Sequence, residues 1–351
     1  MPHRQSTSGP ATGAADRDTA NGGTPDRATA DRDTADGGRG GIEHVAIDGG
    51  QTGVRAQVQR TGVERPEVVE FPGLITDRPV AEQVVDVVHR IARGSSLALV
   101  SAGLSGITDT PAAAASLLDG VRDLGVRSVV VAHDSVTSYL GALGDTTGAV
   151  VAAGTGVVTL AVGAEATARI DGWGYSMGDA GSGFWIGSRA LDAVMRAHDG
   201  RGPATALTPV VEEELGALEH AYIVLQNDPA RVSRTAGFAA AVAALSETDE
   251  VAARICDEAA EQLALSVSTG LHRVGSGPAG SDGGAAPTVC YLGGVLHGER
   301  VRRGVTEILR AEWPELEICE PRGTALHGAA ALPSVAPGSA LRAQVAFATA
   351  S

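Results

Sequence analysis

Two short turns hold the residues whose types and spacing best suit chemistry. Asp48-Gly49-Gly50-Gln51-Thr52-Gly53 and Ala153-Gly154-Thr155-Gly156 each lie between two strand-like runs. Glycines let a backbone approach a phosphate closely, so that main-chain N–H groups and a Thr hydroxyl donate to its oxygens. Asp48, at the end of the run HVAID, is placed to hold Mg2+ directly or through water. Either turn alone also reads as an ordinary hairpin, because D-G and G-G are common hairpin turns. A pair of Gly-Thr turns at matching places in two halves predicts more. They would close on a triphosphate from both sides.

Asp134 ends the buried run SVVVAHD and precedes a helix. A carboxylate at the mouth of a parallel strand points into the cleft where α/β sheets bind ligands. There it could take a proton from a hydroxyl nucleophile as a general base. Its competing role is a helix N-cap, and His133 reads as a packing residue turned away from the cleft. Gly172 to Gly183 spell GWGYSMGDAGSG, costly to order and therefore read as a ligand-shaping loop. Within it Trp173 offers an apolar face, and Asp179 can accept hydrogen bonds from sugar-like hydroxyls. Leu292-Gly293-Gly294-Val295 ends a further strand, where small residues would let a flat base lie on the backbone.

The elements that must position these residues follow from hydrophobic spacing. Strands are expected at His44–Asp48, Val54–Gln59, Glu67–Phe71, Leu97–Ala102 and Ser128–Ala132, with helices at Val80–Ile91, Pro111–Leu124 and from Ser135. Gly148 restarts the theme with strands at Ala149–Ala153, Val157–Val162 and Thr167–Ile170. Helices at Phe184–Ala197, Ala236–Leu245 and Val251–Arg273 come next. A strand at Thr288–Leu292, a helix at Glu299–Ala311, a strand at Glu315–Cys319 and a helix at Gly323–Leu332 complete the pattern. Each half thus carries three antiparallel strands followed by α/β crossovers, an α/β duplication with a cleft between two sheets. The expected boundaries are a disordered tail over 1–41, one half over 42–147, a second over 148–333 and a loosely structured end over 334–351. The tail repeats ADRDTA at 15–20 and 30–35 and is too polar to offset its ordering entropy. Residues 275–287 read as a surface loop.

Composition removes several alternatives. All 27 basic residues are Arg, so there is no lysine for a P-loop, for a protein-kinase third strand or for Schiff-base chemistry. A net charge of −15 leaves no basic stripe for nucleic acid or an anionic membrane. No apolar run is long enough to span a bilayer. The N-terminal segment lacks a secretory core, and the three cysteines are widely spaced. A cytoplasmic protein is the expectation.

Taken in order, DGGQTGVR, HDS, AAGTG, DGWGYSMGDAGSGFWIG and YLGGV resemble the BadF/BadG/BcrA/BcrD-type ATPases, and among them the N-acetylglucosamine kinases of the actin/Hsp70/sugar-kinase superfamily. The resemblance covers 42–332. It implies two ribonuclease-H-like lobes with ATP, Mg2+ and a sugar meeting in the cleft, and a homodimer as the candidate assembly. Gly49, Gly50, Gln51 and Thr52 with Asp48 would form the first phosphate loop. Gly154, Thr155 and Gly156 would form the second, and Gly293 and Gly294 would face adenosine. Asp134 would take the proton from the sugar 6-hydroxyl as it attacks the γ-phosphate. Gly172, Trp173, Gly174 and Asp179 match sugar-contacting positions, with Ser105 and Gly106 close by. Asp77 stands where these kinases carry a substrate-contacting asparagine, and Ala180 replaces the glutamate of their GDEGS.

Two other functions fit the same fold. An electron-transfer activator with a bridging iron–sulfur cluster needs cysteines near the cleft, yet Cys256, Cys290 and Cys319 fall in helix and strand patterns. A sugar sensor without turnover would need neither Asp134 nor two phosphate turns. The zinc-bearing repressor and sugar-kinase branch needs a CxCGxxGC cluster, which this chain lacks.

Overall fold

The computed structural model describes residues 41–75, 78–277 and 286–350. The polar tail, Asp77 and most of the 275–287 loop lie outside the described residues. The first half runs β1 (Ile42–Gly49), β2 (Val54–Arg60), β3 (Glu67–Phe71), α1 (Val80–Ala92), β4 (Leu97–Leu104), α2 (Thr110–Gly120), β5 (Ser128–His133) and α3 (Asp134–Leu143). The second runs β6 (Gly148–Ala153), β7 (Val157–Val162), β8 (Thr167–Asp171), α4 (Gly183–His198), α5 (Leu207–Leu215), α6 (Leu218–Asn227), α7 (Arg231–Leu245), α8 (Glu250–Arg273), β9 (Thr288–Leu292), α9 (Glu299–Glu312) and β10 (Glu317–Cys319). Helix α10 (Ala325–Ala331) and strand β11 (Val345–Thr349) follow.

The duplication is visible in strand order. The first sheet runs β11-β5-β4-β1-β2-β3 and the second β10-β9-β6-β7-β8. In both, the first strand is antiparallel to the second and parallel to the fourth. Parallel strands covered on both faces read as continuous apolar runs, as VSAGL in β4 and SVVVA in β5 do. Helix α1 places Val84, Val87, Val88 and Ile91 on one buried stripe, the i, i+3, i+4, i+7 spacing of an amphipathic helix. Burying four such side chains contributes on the order of 6–12 kcal/mol before ordering entropy is subtracted.

The C-terminal end differs from expectation. In place of a loose tail over 334–351, β11 pairs antiparallel with β5, from Val345 opposite Ala132 to Thr349 opposite Ser128. The second half also stops short of 333, because α10 returns to the first sheet. His44 Nε2 lies 2.7 Å from Ser101 Oγ, which donates to the Ala329 carbonyl at 2.6 Å. The serine's hydrogen is spent on Ala329, so His44 is the donor in that pair, and burial pushes its pKa down to about 4. Asp145 secures the following segment by accepting the Ala336 N–H at 3.1 Å and the Ser339 hydroxyl. A core cluster joining Val130, Tyr139, Val150, Leu160, Leu332 and Leu341 holds α3 between the two sheets.

Candidate functional site

Both turns are closed by the N–H of a glycine. Gly50 N–H donates to the Gly53 carbonyl at 3.0 Å, and Gly154 N–H donates to the Gly156 carbonyl at 2.9 Å. Neither amide is left for a phosphate. The N–H groups of Gln51, Thr52, Thr155 and Gly156 have no backbone partner among the described residues, so these are the donors each turn presents. Gly49 is buried beneath its turn, and its carbonyl accepts the Ser105 N–H at 3.0 Å. The second turn is packed more tightly. Gly183 and Phe184, at the start of α4, donate to the carbonyls of Gly154 and Thr155 at 2.7 and 3.0 Å.

The glycine-rich loop is clamped by two acids. Asp171 (φ +59°) and Asp179 (φ +62°) hold a left-handed conformation that non-glycine residues adopt at a cost. Asp171 accepts the N–H groups of Asp179 at 2.8 Å and Ala180 at 3.3 Å, closing the loop at its neck. Asp179 is 7% exposed, and burial raises its pKa against the opposing pull of the Val157 and Gly174 backbone. A Cβ at Gly156 would lie 2.7 Å from Asp179 Oδ2, so glycine is required where the loop meets the second turn. Sequence reasoning missed Asp171; its only signal was an acid at a strand end opening a run of glycines. Trp173 stands 59% exposed at the rim with the Arg169 guanidinium 4.9 Å above its ring.

At the end of β5, the N-cap of α3 is His133 and not Asp134. His133 Nδ1 accepts the Ser135 N–H at 3.2 Å, which releases the Asp134 carboxylate from capping. Asp134 Oδ1 is buried and accepts no hydrogen bond. His133 Nδ1 lies 2.8 Å from it, but that nitrogen is occupied by the cap. An orphaned carboxylate oxygen in a cleft is a site for a donor that the protein does not itself provide. His133 also lines the cleft, contrary to its expected outward orientation.

One cavity of about 860 Å3 brings the sites together. Its wall includes Gln51, Thr52, Ser105, Gly106 and Asp134 from the first half. Thr155, Gly156, Gly172, Trp173, Gly174 and Asp179 come from the second. A second cavity of about 390 Å3 shares Thr155 and Ser233 with it and continues past Gly154 and Gly294 along Ala236, Ala239 and Ala240. Gly293 departs from expectation. It does not line this slot but sits at φ +92° against the Ala153 carbonyl, where a Cβ would lie 2.3 Å away, and it borders a separate cavity of about 120 Å3. None of the three cysteines lines the large cavity. Cys256 borders the second, and Cys290 and Cys319 are cross-strand neighbours with free thiols.

The residues fit a divalent cation. Half-buried Asp48 has its pKa raised, first by burial and then by the negative charge of Asp134, while Arg55 opposes both. Arg55 is solvent-facing and paired with Glu70 at 3.3 Å. A cation near Asp48 would relieve the acid–acid repulsion with Asp134. No group of three or more metal-ligating side chains occurs among the described residues. Mg2+ suits that arrangement, because it commonly takes one or two carboxylates and completes its shell with water and phosphate oxygens.

Comparison with known proteins agrees with this geometry. The BadF/BadG/BcrA/BcrD ATPase family matches residues 45–332. An N-acetylmuramic acid/N-acetylglucosamine kinase of Clostridium acetobutylicum is 32% identical over 159 residues, 42% of this chain and half of that protein. An N-acetyl-D-glucosamine kinase of Dictyostelium discoideum is 42% identical over 76 residues, 21% of this chain and 24% of that one. The chain thus matches half or less of the length of these curated relatives. The crystal structure of a candidate N-acetylglucosamine kinase from Chromobacterium violaceum superposes with a TM-score of 0.65 at 24% identity, covering 83% of this chain and 99% of that one. The fold is therefore the actin-like ATPase fold, two ribonuclease-H-like lobes about a cleft.

Proposed function

The chain belongs to the BadF/BadG/BcrA/BcrD ATPase family, and from that premise we propose that it is an ATP-dependent kinase of an amino sugar, N-acetylglucosamine or glucosamine, acting on the 6-hydroxyl. The observation that carries this reading is the shared cavity. It sets the free N–H groups of two opposed turns beside a carboxylate with an unsatisfied oxygen. The relatives named as amino-sugar kinases support the choice of substrate.

Phosphoryl transfer asks for alignment and charge neutralisation more than for covalent chemistry. In this reading Gln51 and Thr52 hold phosphate oxygens from one side, and Thr155 and Gly156 from the other. The slot along Gly294 and Ala236 takes the base. Asp48 would hold Mg2+, which when bound would neutralise phosphate charge in a cleft that no Arg lines among the described residues. Trp173 covers one face of the sugar, and Ser105 and Gly106 contact it from the opposite lobe. Asp179 faces the sugar while holding the loop to the second turn. Asp134 accepts the proton of the attacking hydroxyl at its unsatisfied oxygen. The new bond joins the sugar oxygen to the γ-phosphorus as the bond to the β–γ bridging oxygen breaks, leaving ADP.

Coupled measurement of ADP release over N-acetylglucosamine, glucosamine, N-acetylmuramic acid and glucose tests the reading. Sugar-dependent release with an amino sugar preferred is expected. Release that ignores the sugar would replace the kinase with an ATPase.

A further inference from the structure

The capping role of His133 fixes more than a helix end. A backbone N–H can only donate, so Nδ1, which receives the Ser135 N–H, carries the lone pair. In neutral imidazole the ring hydrogen then sits on Nε2. That nitrogen has no hydrogen-bond partner among the described residues, and the ring lines the large cavity. The cap therefore leaves an oriented donor one residue away from the carboxylate read as the base.

The remaining lining makes this donor distinctive. Among the described residues no Arg borders the cavity, and the chain has no Lys, so His133 is the one basic side chain among the described residues of its wall. Asp134 and Asp179, when ionised, only accept. A sugar hydroxyl both donates and accepts, and a wall able to use both roles discriminates better than acids alone.

We propose that His133 determines specificity by donating its Nε2–H to a sugar oxygen adjacent to the hydroxyl that Asp134 deprotonates. This rests on the amino-sugar kinase reading and adds to it a contact that selects the substrate. A sugar without an acceptor at that place leaves a desolvated N–H unpaired and binds more weakly.

Two substitutions separate the donor from the cap. In H133S the serine oxygen still accepts the Ser135 N–H, serine being a favoured N-cap, but its side chain is too short to reach a sugar. H133N retains an acceptor for the cap and adds an amide donor. Steady-state kinetics with the preferred sugar should show H133S raising the sugar KM about tenfold, the worth of one lost hydrogen bond. The KM for ATP and the Tm should stay at wild-type values, and H133N should recover most of the loss. An unchanged sugar KM in H133S overturns the proposal, as does a rise that accompanies an equal rise for ATP and a lower Tm. A fall in kcat at saturating sugar with KM unmoved also overturns it, because the ring would then act on the phosphoryl group. Calorimetry of sugar binding without ATP distinguishes this from the kinase reading. Sugar binding that weakens about tenfold in H133S upholds the contact even if no ADP is ever released, whereas a wild-type protein that binds no sugar overturns both.

Discussion

The two lobes are built on one plan and divide the work unequally. Each closes its first hairpin with the N–H of a glycine and presents the next amides outward. Strand register makes Asp48 of β1 equivalent to Ala152 of β6, since each lies one residue before the end of its strand, and Ser105 after β4 equivalent to Gly294 after β9. The first lobe therefore sets side chains with charge or hydroxyl at its strand ends, and the second sets alanine and glycine at the same places. In the proposed reading one lobe is equipped for proton and metal chemistry. The other offers backbone and space, which suits a large flat ligand. A duplicated scaffold specialises by changing two or three strand-end residues while its strand order stays the same.

Removing the first lobe's proposed base tests the division most severely. Asp134→Asn should lower kcat by about 10²–10⁴-fold, the usual contribution of a general base. ATP affinity measured by calorimetry should change little, because no part of the nucleotide grip is lost. A loss of ATP binding equal to the loss of kcat would mean that the acid belongs to the grip.

The second lobe is probed by contrast between two glycines of one turn. Gly156→Ala forces a Cβ against Asp179 Oδ2, while a Cβ at Gly154 meets nothing within 4 Å. The first should cost about 1–3 kcal/mol of stability through overpacking and raise the ATP KM roughly tenfold. The second should stay within about 0.5 kcal/mol. Thermal denaturation with kinetics on both variants reads the difference, and equal effects would break the packing argument.

The smallest effect concerns stability alone. Asp48 has a folded-state pKa above its ordinary value, so the folded protein binds more protons than the unfolded chain in the carboxylate range. Its contribution to stability therefore falls as pH rises through that range and is unfavourable at neutral pH. Asp48→Asn should raise the Tm at pH 7 by about 1–3 °C, with the gain vanishing below about pH 4. Adding Mg2+ should raise the wild-type Tm and leave that of the variant nearly unchanged. If the variant is less stable at pH 7, the acid is structural and the contrast with Ala152 loses its meaning.

Much of this arrangement is legible in one dimension. Strands β1 to β10, both turns and the position of Asp134 follow from runs of about five to ten residues, a span over which apolar alternation and glycine chemistry act locally. Helices α5 and α6 escaped notice because their sequence, LTPVVEEELGALEHAYIVLQN, leaves Tyr222, Ile223 and Val224 exposed and gives a weak apolar stripe. The expected sugar contact Asp77 lies outside the described residues. Strand β11 is short and rich in alanine, so it reads as a strand only once β5 provides a partner more than 200 residues away.

The amino-acid sequence by itself determined the duplicated α/β pattern, the two glycine turns and the absence of any lysine to hold phosphate. Those depend on residue type and short spacing. Tertiary structure alone decided that His133 caps α3 and leaves an oxygen of Asp134 unpaired, that Asp171 closes the loop carrying Asp179, and that Gly293 supports its strand end instead of facing the slot. Each of these depends on which donor meets which acceptor in space. That competition is settled by packing between segments that are distant along the chain.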